Sequence, residues 1–218
     1  MKNLQKMGGI AALYEAAAYI VGMVGFLLVV DVSGVVDPVQ KVALMVDNQA
    51  FLYIMHLIVY VVWAVFLVVL ALALYERLKA SSPAIVQTAT VFGMIWATVI
   101  IASGMIYNSG MENVVDLYGK DPAQAATVWL AIDSVLGGLG GSNEILGGIW
   151  ILLISWVALR AGGLPRALNY LGVVIAVAGL LTVVPALEML GFVWGLGLLV
   201  WFLWLGIVML RGSPSAAA

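Results

Sequence analysis

The sequence predicts an all-α membrane protein: six transmembrane helices as three hairpins, with short extracytoplasmic helices in the two long outer loops. Three observations predict it. Of the 218 residues, 65% are hydrophobic and only 9% are charged, against roughly 25% charged in a soluble domain. Apolar runs recur along the chain at about 20 residues each, the length that crosses a ~30 Å hydrocarbon core as a helix. The Lys and Arg residues gather on one side of those runs, as the positive-inside rule requires of cytoplasmic loops. Residues 1–218 then form a single polytopic domain with spans at about 7–30, 50–75, 83–107, 143–160, 165–187 and 191–210.

The first span follows Lys2 and Lys6, as a signal peptide would, but its apolar run reaches Val30. That exceeds the about 7–15 residues of a signal h-region, so it reads as a retained helix. The third span opens at Ser82-Pro83, a cap followed by Pro at the first helical position. The fourth ends at Gly162-Gly163, before Pro165 opens the fifth. The last carries Trp194, Trp201 and Trp204, which read as packing and interface residues. The ten Met residues read as gap-fillers. Both long outer loops contain D-P-x-Q: Asp37-Pro38-Val39-Gln40 and Asp121-Pro122-Ala123-Gln124. Asp caps, Pro starts the helix and Gln reaches back, so short outer helices are expected at about 38–47 and 122–139.

With the N-terminus inside, the inner side holds Lys2, Lys6, Arg77, Lys79, Arg160, Arg166 and Arg211. The outer side holds Lys41 and Lys120 alone. Both termini are therefore cytoplasmic. A seven-span alternative, with 124–141 crossing, would place Arg160 and Arg166 outside and is disfavoured. Acids lean outward: Asp31, Asp37, Asp47, Glu112, Asp116, Asp121, Asp133, Glu144 and Glu188.

The hairpin ends LYERLKASSPA, LRAGGLPRA and LRGSPSA resemble one another, as do the starts ALYE, AIVQ and ALNY. A tandem repeat would make Glu15, Gln87 and Tyr170 equivalent. Such repeats occur in transporters, although positive-inside bias and turn chemistry produce the same likeness.

A few residues stand out against the apolar background. Glu15 lies about 12 Å into the first helix if that helix starts near Met7. It shares a face with Gly8, Ala11, Ala12, Ala18, Gly22 and Gly25, so it points into a packed bundle. An ionisable residue there is a functional candidate by default. It is expected to be protonated, or hydrogen-bonded to Asn169, Tyr170 or Gln87, with Lys6 or Arg166 as the available cations. A structural hydrogen bond is the competing role. His56 is the single histidine. It reads first as a packed, hydrogen-bonded residue, ahead of a pH-sensitive role with Asp133, Glu144 or Glu188, and ahead of haem or chlorophyll ligation. The stretch DSVLGGLGGSNEILGG places Asp133, Gly137, Gly140 or Gly141, Glu144 and Gly148 on one stripe if it is one helix. The two acids would then be about 16 Å apart. If the glycines break the helix, Ser142 or Asn143 caps a new one. The glycines serve close packing, or Asp133, Asn143 and Glu144 form a site at the outer rim.

Several classes are excluded. The net charge of −2 gives nucleic acid no footprint. With no Cys, thiol catalysis and Cys metal sites are ruled out. The single His rules out the common multi-His metal sites. The last Lys, Lys120, lies in a loop, so no span offers a retinal Schiff base. No Walker loop is present. No cofactor and no metal are expected.

LQKMGGIAALYEAAAYIVG, DLYGKDPAQAATVWLAIDSV, GGSNEILGGIW, RAGGLPRALNYLG and VVPALE together resemble a bacterial family of integral membrane proteins, domain of unknown function 4386 (DUF4386). The resemblance covers nearly the whole chain. It implies a helical protein of the bacterial inner membrane and implies no activity. The residues themselves favour a non-enzymatic protein that binds lipid or a small apolar ligand, or docks to another membrane protein. The alternative is a small proton-coupled transporter or channel using Glu15. An intramembrane enzyme using Glu15 or the Asp133/Glu144 pair ranks last, because no nucleophile–base pair is identifiable.

Overall fold

The computed structural model describes residues 2–30 and 34–211, and of Lys2 and residues 140–142 the backbone alone. Among the described residues every regular element is helical. α1 (Lys2–Leu28) is followed by the short α2 (Pro38–Asp47). α3 (Gln49–His56), a π-helical segment (Leu57–Val62) and α4 (Trp63–Leu78) then form one rod. α5 (Pro83–Tyr118), α6 (Pro122–Ala161), α7 (Arg166–Leu181), a 3-10 turn (Pro185–Leu187) and α8 (Leu190–Arg211) complete the chain. Among the described residues five helices are long and apolar enough to cross a membrane: Asn3–Leu28, Gln49–Leu78, Pro83–Tyr118, Pro122–Ala161 and Leu190–Arg211. α7 is apolar but only 16 residues long.

The helix ends follow local chemistry. Asp37 accepts from the Val39 N–H at 2.9 Å, and Asp121 from the Gln124 N–H at 3.0 Å. Each satisfies an orphan donor of the first turn beside a Pro that has none. Gly162 ends α6 in the left-handed region, φ 70°, with its N–H on the Ala158 carbonyl. Only glycine adopts that conformation without strain. Ser82 occupies the cap position of α5, but its side chain makes no capping bond.

Three expected boundaries change. The third span continues to Tyr118. The expected outer helix at 122–139 and the span at 143–160 are one helix of 40 residues, about 60 Å long. No turn forms at 140–142, because that run contains no Pro to end the helix. α5 also runs alongside the first half of α6, with Gly110 packed against Ile132. The fifth span stops early, at Leu181, where the Thr182 hydroxyl donates to the Gly179 carbonyl at 2.7 Å. Pro185 then forces Val184 out of the helical region, to ψ 114°. Asp31 and the last ending of the hairpin similarity, beyond Arg211, lie outside the described residues.

The six long elements pack as a closed ring in chain order, each antiparallel to the next. Gly8 packs against Ala73 and Met209, Gly22 against Val59 and Gly195 against Tyr19, so α1 runs opposite to both the α3–α4 rod and α8. Gly104 meets Tyr60, Gly93 meets Trp150, Gly172 meets Ser155, and Gly179 meets Trp194. With Gly93 also against Ala71, Gly110 against Ile132, Gly148 against Ala176 and Gly197 against Ile175, they fix the other four seams as antiparallel. Inside the ring sits an aromatic core of Trp63, Trp96, Trp150, Trp194, Trp201 and Phe202. At one end Gln5 reaches the Met209 carbonyl and the Arg77 Nε–H donates to the Gly163 carbonyl at 2.8 Å. The Lys- and Arg-bearing ends of α1, α4, α6 and α8 therefore share that end. At the other end α2, α3 and the far halves of α5 and α6 enclose a second core around Val42, Met111 and Trp129.

A Cβ at Gly104 would stand 2.5 Å from Tyr60 Cβ, whereas one at Gly137 would meet nothing within 4 Å. Gly104→Leu is therefore expected to destabilise by about 1–3 kcal/mol through overpacking. Gly137→Ala is expected to stabilise by up to ~1 kcal/mol through helix propensity. Thermal unfolding of both variants in one detergent checks this, and shifts of the same sign would contradict the packing described.

Candidate functional site

A cavity of about 290 Å³ lies between α1, the π segment, α4, α5, α6 and α8. Its walls are mostly apolar and carry five aromatic side chains: Tyr19 and Phe26 of α1, Tyr60 of the π segment, Trp63 of α4 and Trp96 of α5. Asn143 of α6 adds a polar corner, and its Oδ1 accepts from the Trp96 Nε1–H. Met23 and Phe26 line the cavity and are themselves exposed on the bundle's flank. The cavity thus opens sideways, toward whatever surrounds the helices.

The π segment shapes one wall. Its wider turn carries Val59 and Tyr60 into the cavity, and the Trp63 N–H reaches back to the Ile58 carbonyl. Two notches accept the extra girth: Gly22 against Val59 and Gly104 against Tyr60. Polar side chains from both neighbours grip the rod here. The Tyr14 hydroxyl donates to the Ile58 carbonyl at 3.1 Å. The Asn108 Nδ2–H donates to the Tyr53 carbonyl at 3.3 Å. That bond turns Asn108 Oδ1 toward His56 Nδ1, 3.0 Å away, so Nδ1 is assigned as the protonated nitrogen. His56 is buried, stacked on Tyr107 with ring centroids 4.5 Å apart, and edge-on to Tyr60. It is thus a packed, hydrogen-bonded histidine whose partner is Asn108, not Asp133, Glu144 or Glu188. π turns concentrate at functional sites, and this one borders the cavity.

Glu15 is fully buried, and both carboxyl oxygens lack a hydrogen-bond partner among the described residues. The expected partners are elsewhere. Asn169 is buried, but its Nδ2–H donates to the Leu164 carbonyl, holding its own turn. Tyr170 and Gln87 are exposed on the outside of the bundle. The proposed equivalence of Glu15, Gln87 and Tyr170 therefore fails in burial. Other buried polar atoms in the ring also lack a partner among the described residues: the indole nitrogens of Trp63, Trp150 and Trp201, Ser155 Oγ and Asn169 Oδ1.

The outer acids are not brought together. Asp133 is exposed on α6, and Glu188 is exposed in the turn before α8. Glu144 is half-buried, with Oε2 enclosed and without a partner among the described residues, and it lies within electrostatic reach of Tyr19. The stripe from Asp133 to Gly148 is not one packing face. Gly137 is open, whereas Gly148 abuts Ala176 and Leu180, because α7, only 16 residues long, lies beside the second half of α6. Among the described residues no three His, Asp or Glu side chains converge as a metal site requires. Tyr14, Tyr19, Tyr60, Trp63, Trp96, Tyr107 and Asn108 were not legible as site residues. Asn108 alone left a trace, as an amide at the end of an apolar run.

A family profile described as Domain of unknown function (DUF4386) matches residues 10–206. No curated protein and no solved structure matches the chain.

Asn108→Ala would strand the His56 Nδ1–H in a buried place, and the expected loss is about 1–3 kcal/mol. Tyr14→Phe removes one bond to a carbonyl that keeps its backbone donor, and should cost only about 1 kcal/mol. Detergent melting curves that rank the two the other way would contradict the network.

Proposed function

The chain belongs to the DUF4386 family, whose description names no activity, and from its own residues we propose a non-enzymatic, multi-pass protein of the cell membrane that binds a lipid or another small apolar ligand. Six spans, with both termini inside, fit the six-element ring. α7 is about 24 Å long, but it takes its turn in the antiparallel alternation. The turn that follows it and the first turn of α8 expose Val183, Leu187, Met189 and Phe192, which suits immersion in the outer leaflet. Seven bases at one end and two at the other support the orientation.

The single observation that carries the binding reading is the cavity. At about 290 Å³ it lies at the small end of ligand pockets, which span ~300–1,000 Å³. Aromatic walls with few polar groups are the usual lining of such pockets. Its mouth faces sideways between helices, where an acyl chain or similar molecule arrives from the bilayer. The hydroxyls argue against acyl-transfer chemistry. Ser103 and Ser134 bond their own helix carbonyls, and Ser155 Oγ has no base beside it.

A second reading, a small proton-coupled transporter or channel, is favoured by the unpaired carboxyl of Glu15 and the other unpaired atoms inside the ring. On that reading Glu15→Gln abolishes proton-coupled flux in proteoliposomes while leaving folding intact. A wild-type flux no greater than that of empty vesicles would dismiss it.

Native mass spectrometry from mild detergent tests the main reading. The wild type is expected to carry a reproducible excess mass of lipid size. Ile100→Trp, which fills the cavity from α5, should lose it at least tenfold. A bare wild-type chain refutes the reading, and an excess mass of polypeptide size would favour an accessory role instead.

A further inference from the structure

Resting on the ligand-binding reading, we propose that Glu15 is a proton-binding site one helical turn beneath the cavity floor, held as the carboxylic acid and approached through the cavity mouth. Its depth follows from the contacts of α1. Gly8, seven residues before it, packs at the level of Ala73 and Met209. Gly22, seven residues after it, packs at the level of Val59 and lines the cavity. Glu15 is therefore about 10 Å from either level along the axis, in the middle of the bundle. Ala18 and Tyr19, three and four residues on, share its face and form the cavity floor.

Among the described residues no cation faces this level. The buried faces of the flanking elements are Trp63, Leu67 and Leu70 on α4 and Trp201, Phe202 and Leu205 on α8. The π segment brings Tyr60, α1 itself brings Tyr14 and Tyr19, and α6 brings Glu144 toward Tyr19. All of these are neutral or acidic. A carboxylate there would be an uncompensated charge out of water, the arrangement proteins avoid. The acid form carries no charge and keeps a donor and an acceptor.

Trp63 also lines the cavity; its indole N–H is enclosed by protein and has no acceptor among the described residues.

Dicyclohexylcarbodiimide, an apolar reagent selective for protonated carboxyls, tests access to the site. The acid proton moves to a carbodiimide nitrogen, the carboxyl oxygen bonds to the central carbon, and one C=N π bond is consumed. The acyl group then migrates from oxygen to nitrogen, giving a stable N-acylurea with nothing lost. The full chain, washed free of copurified lipid and reconstituted in phosphatidylethanolamine–phosphatidylglycerol vesicles, should be modified at Glu15. A water-soluble carbodiimide should modify Glu15 at least tenfold less, and Ala18→Leu, which thickens the floor, should reduce the apolar reaction. Infrared spectroscopy at neutral pH should show a carboxylic-acid carbonyl band that Glu15→Gln removes. Equal labelling by the two reagents, or the absence of that band, overturns the proposal. The two readings fail separately. A protein that purifies bare yet shows the acid band and label at Glu15 loses only the ligand. One that carries a ligand displaced by Ile100→Trp yet shows no acid band loses only the proton site.

Discussion

The bundle depends on how closely α1 approaches the elements on either side of it. In a bilayer, lipid tails compete on equal terms with apolar side chains, so helices associate through close packing rather than hydrophobic expulsion. α1 meets this condition with Gly8, Gly9, Ala11, Ala12 and Ala16, all buried. Gly9 packs on Leu210 of α8, and Gly206 of α8 accepts Leu13 in return. That reciprocal seam closes the ring. Without it the Trp core would lose one wall, and Glu15 would face lipid instead of the interior.

The π segment shows the same constraint acting on hydrogen bonds. Inside a membrane every backbone polar group needs a partner from the protein. The wider turn alters the carbonyl pattern of the rod, and Tyr14 and Asn108 add bonds to it from opposite sides. His56 then completes the Asn108 amide. The histidine is thereby tied into the framework, while the residues just beyond it, Val59, Tyr60 and Trp63, shape the cavity. Against this accounting Glu15 is the outlier: a carboxyl carried to the centre by a helix of small residues, with no hydrogen-bond partner among the described residues.

Rules that act within one turn of chain were readable in advance. Asp37 and Asp121 cap as their D-P-x-Q contexts require, and Gly162 takes the left-handed exit. The burial of Glu15 followed from the small residues on its face. The rest depended on distant chain. Whether residues 122–161 form one helix depends on α5 lying alongside, and the partner of His56 sits 52 residues away. Glycines that look alike in sequence differ completely: Gly104 is a notch for Tyr60, while Gly137 touches nothing.

The chain by itself determined its helical class, the ends of most helices, the side on which its bases gather, and which acid would be buried. Each of these is a matter of composition or of contacts within about four residues. Tertiary structure decided that six elements close into a ring, that one rod swells into a π turn, and that five aromatic side chains surround a sideways-opening cavity. Those outcomes turn on which glycine meets which side chain across the bundle. Such pairings are set by the fit of surfaces from helices far apart in the chain, so no local pattern encodes them.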